Sequence, residues 1–250
     1  MSLEGKYAIV AAGAKNLGGL ISKELARAGA AGVAVHYNSA SSEAAADETV
    51  AAIQATGAKT VKFQGDLTKP ENITAFYNAA LSEFGSLDIA VNTVGQVIRK
   101  PILEITEADY DEIFDKNSKA AFFFIKEAAE KLNDGGSITT IITSLLAFYT
   151  DGYAIYGGSK SPVVEFTKAA SKELGSRQIS VNAIAPGPMD TPFLYPQEND
   201  GRVEWLKSTT PLGRLTEITD VASSVVFLAG PGKWYTGQVF YPNGGFATKG

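Results

Sequence analysis

The stretch KYAIVAAGAKNLGG, residues 6–19, decides the fold class. Residues 6–12 form a short apolar run, which predicts a buried strand. Gly13, Gly18 and Gly19 follow, and the chain then continues with apolar residues at helical spacing. A strand that enters a helix through a glycine-rich turn is where nucleotide-binding folds present backbone amides to a pyrophosphate. The same cluster alone is also consistent with a tight turn that binds nothing.

The same unit of strand followed by helix recurs along the chain. Further β-rich segments predict strands at residues 32–37, 60–65, 87–92, 137–143, 179–185 and 237–242. Apolar residues at helical spacing predict helices at residues 17–28, 42–56, 72–84, 108–132, 153–175 and 218–228. This alternation predicts right-handed β–α–β units around a parallel sheet with helices on both faces. The fold class is therefore α/β, doubly wound in three layers, with a central, mostly parallel seven-stranded sheet.

One segment, residues 187–216, interrupts this alternation and is rich in proline, aromatic and polar residues. It predicts a long loop with a short helix, the kind of insertion that often covers a site. Its apolar residues either form a lid over a substrate or pack against the short helix. They are Phe193, Leu194, Tyr195 and Trp205. No linker or repeat divides the chain, so we predict that residues 1–250 form a single domain.

Composition argues against several classes of function. The chain has a formal net charge of −5 and a pI of about 5.1, and no run of lysine or arginine exceeds two. Nucleic acids and membranes are therefore not expected as partners. Without cysteine and with only His36 as histidine, a metal site, a thiolate nucleophile and a serine–histidine triad are not expected. Residues 1–10 lack a basic segment followed by an apolar one, so a cytoplasmic location is expected.

The pair in YGGSK, Tyr156 and Lys160, has the spacing that puts two side chains on one face of a helix. An ammonium near a phenol lowers the phenol's pKa from about 10, which permits proton exchange with an alcohol or carbonyl near neutral pH. Such pairs are common by chance on helices. Here Asn117 lies 39 residues upstream and Pro186–Gly187 lies 30 residues downstream, and this context gives the pair its significance.

These features together resemble the short-chain dehydrogenase/reductase family over residues 6–245, which implies a Rossmann-type fold. The family's glycine motif falls on Ala11, Ala12, Asn16 and Gly18, and three of these four differ from it. Gly13 is expected to take over the tight turn, and Asn16 tolerates positive φ better than most residues. The resemblance implies that the loop binds a dinucleotide through Gly13, Lys15, Asn16, Leu17 and Gly18.

In this family the end of the second strand selects between NAD and NADP. An acid there accepts hydrogen bonds from the ribose 2′-hydroxyl, and here Tyr37 occupies that position. Asn38, Ser39 and Lys15 are available to meet a 2′-phosphate instead, so NADP(H) is favoured over NAD(H). In the alternative interpretation Lys15 is a solvated loop cation and the ring of His36 lies in solvent.

The resemblance assigns further residues to the cofactor. Asn92 would stabilise a strand-end turn and Gly95 would let the backbone approach the cofactor, within NTVG where the family has NNAG. Backbone near Met189 and the hydroxyl of Thr191 would anchor the nicotinamide carboxamide. The remaining cofactor residues that it implies are Asp66, Leu67, Tyr156, Lys160, Pro186 and Gly187.

The resemblance also implies the catalytic residues. Tyr156 exchanges the proton, Lys160 tunes it and positions the ribose, and Asn117 supports a proton relay or simply caps a helix. The family's hydroxyl lies 13 residues before the tyrosine, which is Thr143, with Ser144 next. Spacing favours Thr143 and residue type favours Ser144, so both are candidates.

The activity implied is that of an NADP-dependent carbonyl reductase or alcohol dehydrogenase, with reduction favoured. The alternatives are a 3-oxoacyl-thioester reductase, a pteridine-type reductase and, from another class, a cofactor-binding regulator with little turnover. Residues 120–132 and 161–174 are too apolar for a monomer's surface, which implies a second buried face. A homotetramer is expected, with a dimer as the next choice.

Overall fold

The computed structural model describes residues 3–248 and contains one seven-stranded sheet. Every strand pair is parallel, in the order β3-β2-β1-β4-β5-β6-β7. The strands are β1 (Tyr7–Ala11), β2 (Gly32–Tyr37), β3 (Lys59–Gln64), β4 (Ile89–Asn92), β5 (Ser137–Ile141), β6 (Ser180–Ile184) and β7 (Val239–Phe240). The strand order reverses between β1 and β4, which opens a crevice at the carboxyl ends of these strands. The predicted fold class is confirmed.

The described residues contain eight α-helices. They are α1 (Asn16–Arg27), α2 (Glu43–Gln54), α3 (Pro70–Phe84), α4 (Glu107–Phe114), α5 (Ala120–Lys131), α6 (Ala154–Glu173), α7 (Asp200–Thr209) and α8 (Ile218–Ala229). Helices α1, α2 and α8 pack on one face, and α3, α5 and α6 pack on the other. Ala8 and Val10 of β1 contact the first layer and Ile9 and Ala11 the second, which explains why this strand is apolar throughout.

The predicted helix at residues 108–132 is interrupted in the structure. A π-helical turn, Asp115–Lys119, separates α4 from α5. The apolar spacing continues across the turn, so periodicity alone predicts one helix. The turn matters for the site because it places the side chain of Asn117 in the interior, beneath the crevice.

The insertion at residues 187–216 contains the expected short helix, α7. Its N-cap is Asn199, whose side chain accepts a hydrogen bond from the Arg202 amide at 2.9 Å. Val203 and Leu206 of this helix pack against Phe246 from the C-terminal segment. The insertion is therefore anchored to the body of the protein at the edge of the crevice. Across residues 3–248, the structure has no helix with both the length and the apolar character that a bilayer crossing requires.

Candidate active site

A cleft of about 690 Å³ runs along the carboxyl ends of the strands. The elements that line it are the glycine-rich loop, the ends of β2 and β4, helix α6 and the insertion. The predicted cofactor residues that line it are Lys15, Asn16, Leu17, Gly18, Tyr37, Asn38, Ser39, Asp66, Leu67, Gly95, Tyr156, Lys160, Met189 and Thr191. Pro186 and Gly187 instead line an adjoining smaller cavity. Gly13 and Asn92 are buried outside both linings.

The glycine-rich loop turns at two residues that are not glycine. Ala12 has φ 54° and Asn16 has φ 49°, both in the left-handed region. The expectation that Gly13 takes over the turn is wrong, because Gly13 does not have a positive φ. Glycine is required at this position for space instead, since an added Cβ would lie 2.7 Å from the Val10 carbonyl oxygen. An added Cβ at Gly18 would lie 2.1 Å from the Ala12 carbonyl oxygen. The loop is therefore closely packed against the start of α1.

His36 is buried beneath this loop, with 2% of its surface exposed. Its Nδ1 accepts a hydrogen bond from the Ala12 amide at 2.9 Å, so its Nε2, 2.7 Å from the Gly65 carbonyl oxygen, carries the proton. Burial lowers the pKa of His36 to about 4, and the Gly65 carbonyl opposes that shift. The interpretation that its ring lies in solvent is therefore wrong. The ring is buried and neutral, and its two hydrogen bonds link β2 to the segments that follow β1 and β3.

The end of β2 carries hydrogen-bond donors and no carboxylate of its own. The Tyr37 ring is buried, and its hydroxyl donates to Glu43 at 3.4 Å. Asn38, Ser39 and Lys15 are exposed beside it and line the same end of the cleft. Neutral donors and a lysine suit a phosphate dianion better than they suit the paired hydroxyls of an unmodified ribose.

Lys160 is buried where the cleft meets α6. Its Nζ donates to the Val94 carbonyl at 3.1 Å and to the Ile141 carbonyl at 3.2 Å. Burial lowers its pKa to about 8. An added Cβ at Gly95 would lie 2.9 Å from this Nζ and 3.2 Å from Asn117 Oδ1, so a side chain there would displace the lysine from its present position. Two of the three ammonium protons are used by carbonyls, which leaves one for the cleft.

Tyr156 is also buried and lines both the cleft and the smaller cavity. Burial raises its pKa to about 12, and a hydrogen bond with the Thr143 hydroxyl opposes that shift. The expectation that Lys160 lowers this pKa is wrong for this structure, because burial is the largest cause of the shift and Lys160 is not among its causes. The phenol therefore holds its proton at neutral pH.

The two candidate hydroxyls occupy different environments. Thr143 has extended backbone angles, φ −151° and ψ 145°, so consecutive side chains here point in opposite directions. The Ser144 hydroxyl donates to the Ala185 carbonyl at 2.8 Å and accepts from Asn243 at 3.1 Å. The Thr143 oxygen accepts from the Leu145 amide at 3.2 Å and faces Tyr156. Thr143 is therefore grouped with the phenol, whereas Ser144 holds backbone segments together.

Asn117 connects the π-helical turn to the site. Its Oδ1 accepts from the Gln96 amide, and its Nδ2 donates to the Gln96 carbonyl and to the Ser159 hydroxyl, each at 2.9 Å. The side chain thereby joins the segment after β4 to the helix that carries Tyr156 and Lys160. Gln96 and Ser159 are contributors that sequence reasoning missed, and no spacing in the chain points to them.

The smaller cavity, of about 100 Å³, begins at Tyr156 and Thr143. Most of its wall is apolar, formed by residues that include Val97, Leu145, Phe193, Leu194 and Phe246. Its volume and lining suit a compact, mainly apolar carbonyl or alcohol compound.

One wall of this cavity is polar and was not predicted. The Glu198 side chain is 2% exposed and accepts a hydrogen bond from the Tyr153 hydroxyl at 2.6 Å. Arg99 Nη1 lies 3.4 Å from its second carboxylate oxygen. Burial and the neighbouring carboxylate raise the pKa of Tyr153 above its usual value. The three residues come from separate segments, so only the fold reveals that they meet.

The apolar residues of the insertion lie in two different environments. Phe193 and Leu194 line the smaller cavity. Trp205 packs against Phe148, with ring centroids 6.2 Å apart, and the Arg202 guanidinium lies 3.9 Å from its ring centre. The Tyr195 hydroxyl donates to Asp190 at 2.6 Å. The first part of the insertion therefore borders the cavity, and α7 packs on the body.

The residues of the cleft fit a nicotinamide dinucleotide. Helix α1 begins at the glycine-rich loop, so its first amides are available to a pyrophosphate, and Gly18 lets this helix pack closely against Ala12. Exposed donors lie at one end of the cleft, and Lys160 and Thr191 lie at the other. Within the described part of the chain no three His, Cys, Asp or Glu side chains are grouped as a metal site would require.

Comparison with known proteins agrees with this geometry. The family model described as enoyl-(acyl carrier protein) reductase matches residues 11–247. Hydroxynaphthalene reductase-like protein Arp2 of Metarhizium brunneum is 38% identical, over 99% of this chain and 97% of that protein. A putative dehydrogenase from Burkholderia cenocepacia with bound NADP has a TM-score of 0.97 and 51% identity, over 99% and 96% of the two chains. A blue fluorescent protein from a metagenomic library in complex with NADPH has a TM-score of 0.94 and 32% identity, over 99% and 100%.

Proposed function

Because the chain belongs to the short-chain dehydrogenase/reductase family of oxidoreductases, we propose that it is an NADP-dependent reductase of carbonyl compounds, working between a carbonyl and a secondary alcohol. The observation that carries this proposal is the buried group of Tyr156, Lys160 and Thr143 at the point where the cleft meets the apolar cavity. When bound, the dinucleotide supplies the hydride. The chain's own residues supply the proton and the orientation.

Tyr156 is the proton donor in this proposal. Its pKa of about 12 keeps the phenol protonated at neutral pH, which is the form required to protonate the oxygen of a carbonyl that is being reduced. Thr143 orients that oxygen with a second hydrogen bond. The remaining N–H of the Lys160 ammonium would donate a hydrogen bond to the ribose of the cofactor, and Asn117 supports the proton relay by holding the segment at Gln96 against α6.

The insertion at residues 187–216 covers the substrate in this proposal. Phe193 and Leu194 form part of the apolar cavity wall, while Met189 and Thr191 border the cleft and the cavity together. A compact cyclic or aromatic ketone suits the cavity best. The test is NADPH consumption with a panel of such ketones, acyl thioesters and pteridines. NADPH binding without turnover of any of them would point to a binding-only regulator.

NADPH is expected to bind about tenfold tighter than NADH, because a 2′-phosphate would gain charge-assisted hydrogen bonds at the end of β2. Two similar structures, from Burkholderia cenocepacia and a metagenomic library, have NADP or NADPH bound, which supports the proposal. Fluorescence titration measures both affinities. Lys15→Gln should reduce the preference without abolishing NADH binding. Equal affinities in the wild type would contradict the assignment.

We also propose a homotetramer, supported by an aromatic patch on α5 and α6. Phe122 is 45% exposed and packs edge-on against Phe166 of α6, with ring centroids 5.1 Å apart. Exposed aromatic area of this kind favours a partner. Light scattering should give a mass of four copies of the 26.3 kDa chain.

Phe122→Glu is expected to dissociate the assembly and lower activity, because Phe166 belongs to the helix that carries Tyr156 and Lys160. Ala55→Glu places the same charge at an exposed position at the end of α2, on the opposite face of the sheet, and should leave the mass unchanged. An active wild-type preparation with the mass of a single chain would refute the proposed assembly.

A further inference from the structure

The peptide unit between Ala11 and Ala12 is held by two side chains from other strands. The Ala11 carbonyl accepts a hydrogen bond from the Thr93 hydroxyl at 2.8 Å. The Ala12 amide donates to His36 Nδ1 at 2.9 Å, and no other acceptor is present for it in the described residues. Both polar atoms of this peptide are therefore fixed from outside the loop.

Ala12 needs such a constraint because it adopts φ 54°. A Cβ in the left-handed region lies close to backbone oxygen, so alanine enters this region only where its surroundings impose it. The direction of the Ala12 carbonyl matters for the cofactor cleft, since it points at the position where an added Cβ of Gly18 would be. A change at Ala12 would shift the start of α1, where the proposed pyrophosphate site lies.

His36 is built to supply this constraint. Its ring packs beside the stacked pair Phe63 and Phe76, with centroid distances of 6.4 and 5.6 Å. Its Nε2 proton is taken by the Gly65 carbonyl, which leaves Nδ1 as the acceptor for Ala12. The ring is thus held in one tautomer, and that tautomer is the one that the loop requires.

We propose that His36 is a positioning residue for the cofactor, which fixes the glycine-rich loop in its binding conformation by imposing the left-handed turn at Ala12. A glycine at position 12 would adopt this turn freely, and the His36 hydrogen bond replaces that freedom. The inference rests on the proposed function in one respect, namely that the cleft binds NADP(H).

Two substitutions of similar polarity separate the two bonds of His36. His36→Asn places Oδ1 at the same number of bonds from the backbone as Nδ1, so it keeps an acceptor for Ala12 and removes the donor to Gly65. His36→Gln places an amide nitrogen at the position of Nε2, so it keeps the donor to Gly65 and removes the acceptor for Ala12. A role limited to filling the core predicts similar losses for both.

NADPH titration is the measurement, with thermal unfolding recorded for each variant. We expect His36→Gln to weaken NADPH binding about tenfold, because it leaves the Ala12 amide without its acceptor. We expect His36→Asn to weaken it less than about threefold. Adding Ala12→Gly to His36→Gln should restore the affinity to within about threefold of the wild type, because glycine needs no imposed turn. In steady-state kinetics the loss should appear in the KM for NADPH far more than in kcat.

Equal losses in the two single variants, or no rescue by Ala12→Gly, would overturn the inference. If His36→Gln does not fold alone, Ala12→Val gives the same test from the other partner, since a β-branched residue resists positive φ. Unchanged NADPH affinity in Ala12→Val would then overturn it. Wild-type protein that does not bind NADPH would overturn the proposed function as well. If the wild type binds NADPH, the variants test the role of His36 alone.

Discussion

Tyr156→Phe is expected to lower kcat by about 100- to 10,000-fold, the range that a positioned general acid contributes. The substitution removes one oxygen, and that oxygen is the only group in the proposed mechanism that donates a proton to the substrate. Thermal stability and NADPH affinity should change little, because the ring still fills its place beside Ile113 and Ile155. Single-turnover measurements with saturating NADPH would separate the chemical step from binding.

Tyr153→Phe is the matched control. It removes a phenol oxygen one turn earlier on the chain, which donates to Glu198 and has no contact with Thr143 in the proposed mechanism. It should affect the substrate's KM more than kcat, since Glu198 lies in the cavity wall. Equal loss of kcat in both variants, or full activity in Tyr156→Phe, would refute the role assigned to Tyr156.

Thr143→Val is expected to lower kcat/KM by about 100-fold, as removal of one donor to a developing oxyanion does in other enzymes. Valine matches threonine in shape, so the fold should be retained. Ser144→Ala should instead lower the unfolding temperature, because it removes the hydroxyl that joins Ala185 to Asn243, and it should leave more of the activity. The two variants are compared by steady-state kinetics and thermal unfolding.

Which of the two variants loses more turnover decides which hydroxyl orients the substrate. A larger loss of turnover in Ser144→Ala would reassign the substrate-orienting role to that residue. Small and equal losses would show that neither hydroxyl serves it.

Sequence patterns predict the parts of this protein that depend on local periodicity. The central strands β1, β2 and β4 are short, mainly apolar runs because the sheet is covered on both faces there. Tyr156 and Lys160 share a face because residues four apart on a helix do. The glycine-rich loop, the end of β2 and the segment after β4 lie at one crevice because parallel strands end at the same edge. None of this requires knowledge of a distant contact.

The features that were not predicted all depend on such contacts. Burial of the His36 ring depends on Ala12 and Gly65, and the ion pair of Arg99 depends on Glu198, 99 residues further along the chain. The direction of the pKa shift at Tyr156 depends on its burial, which the four-residue spacing of Tyr156 and Lys160 does not reveal. The π-helical turn at Asn117 leaves the apolar pattern unchanged and so has no signature in it.

Departures from the family pattern that lie far apart in the sequence come together at the peptide between Ala11 and Ala12. Ala12 replaces a glycine and Thr93 replaces an asparagine, so the sequence presents two separate departures, and His36 lies in the second strand, far from both along the chain. All three meet at one peptide unit, where each is held by or holds another. They therefore form a single structural unit. Residues 12, 36 and 93 therefore have to be transferred together when this loop is built into a related protein. A search for other proteins with the same loop should require all three.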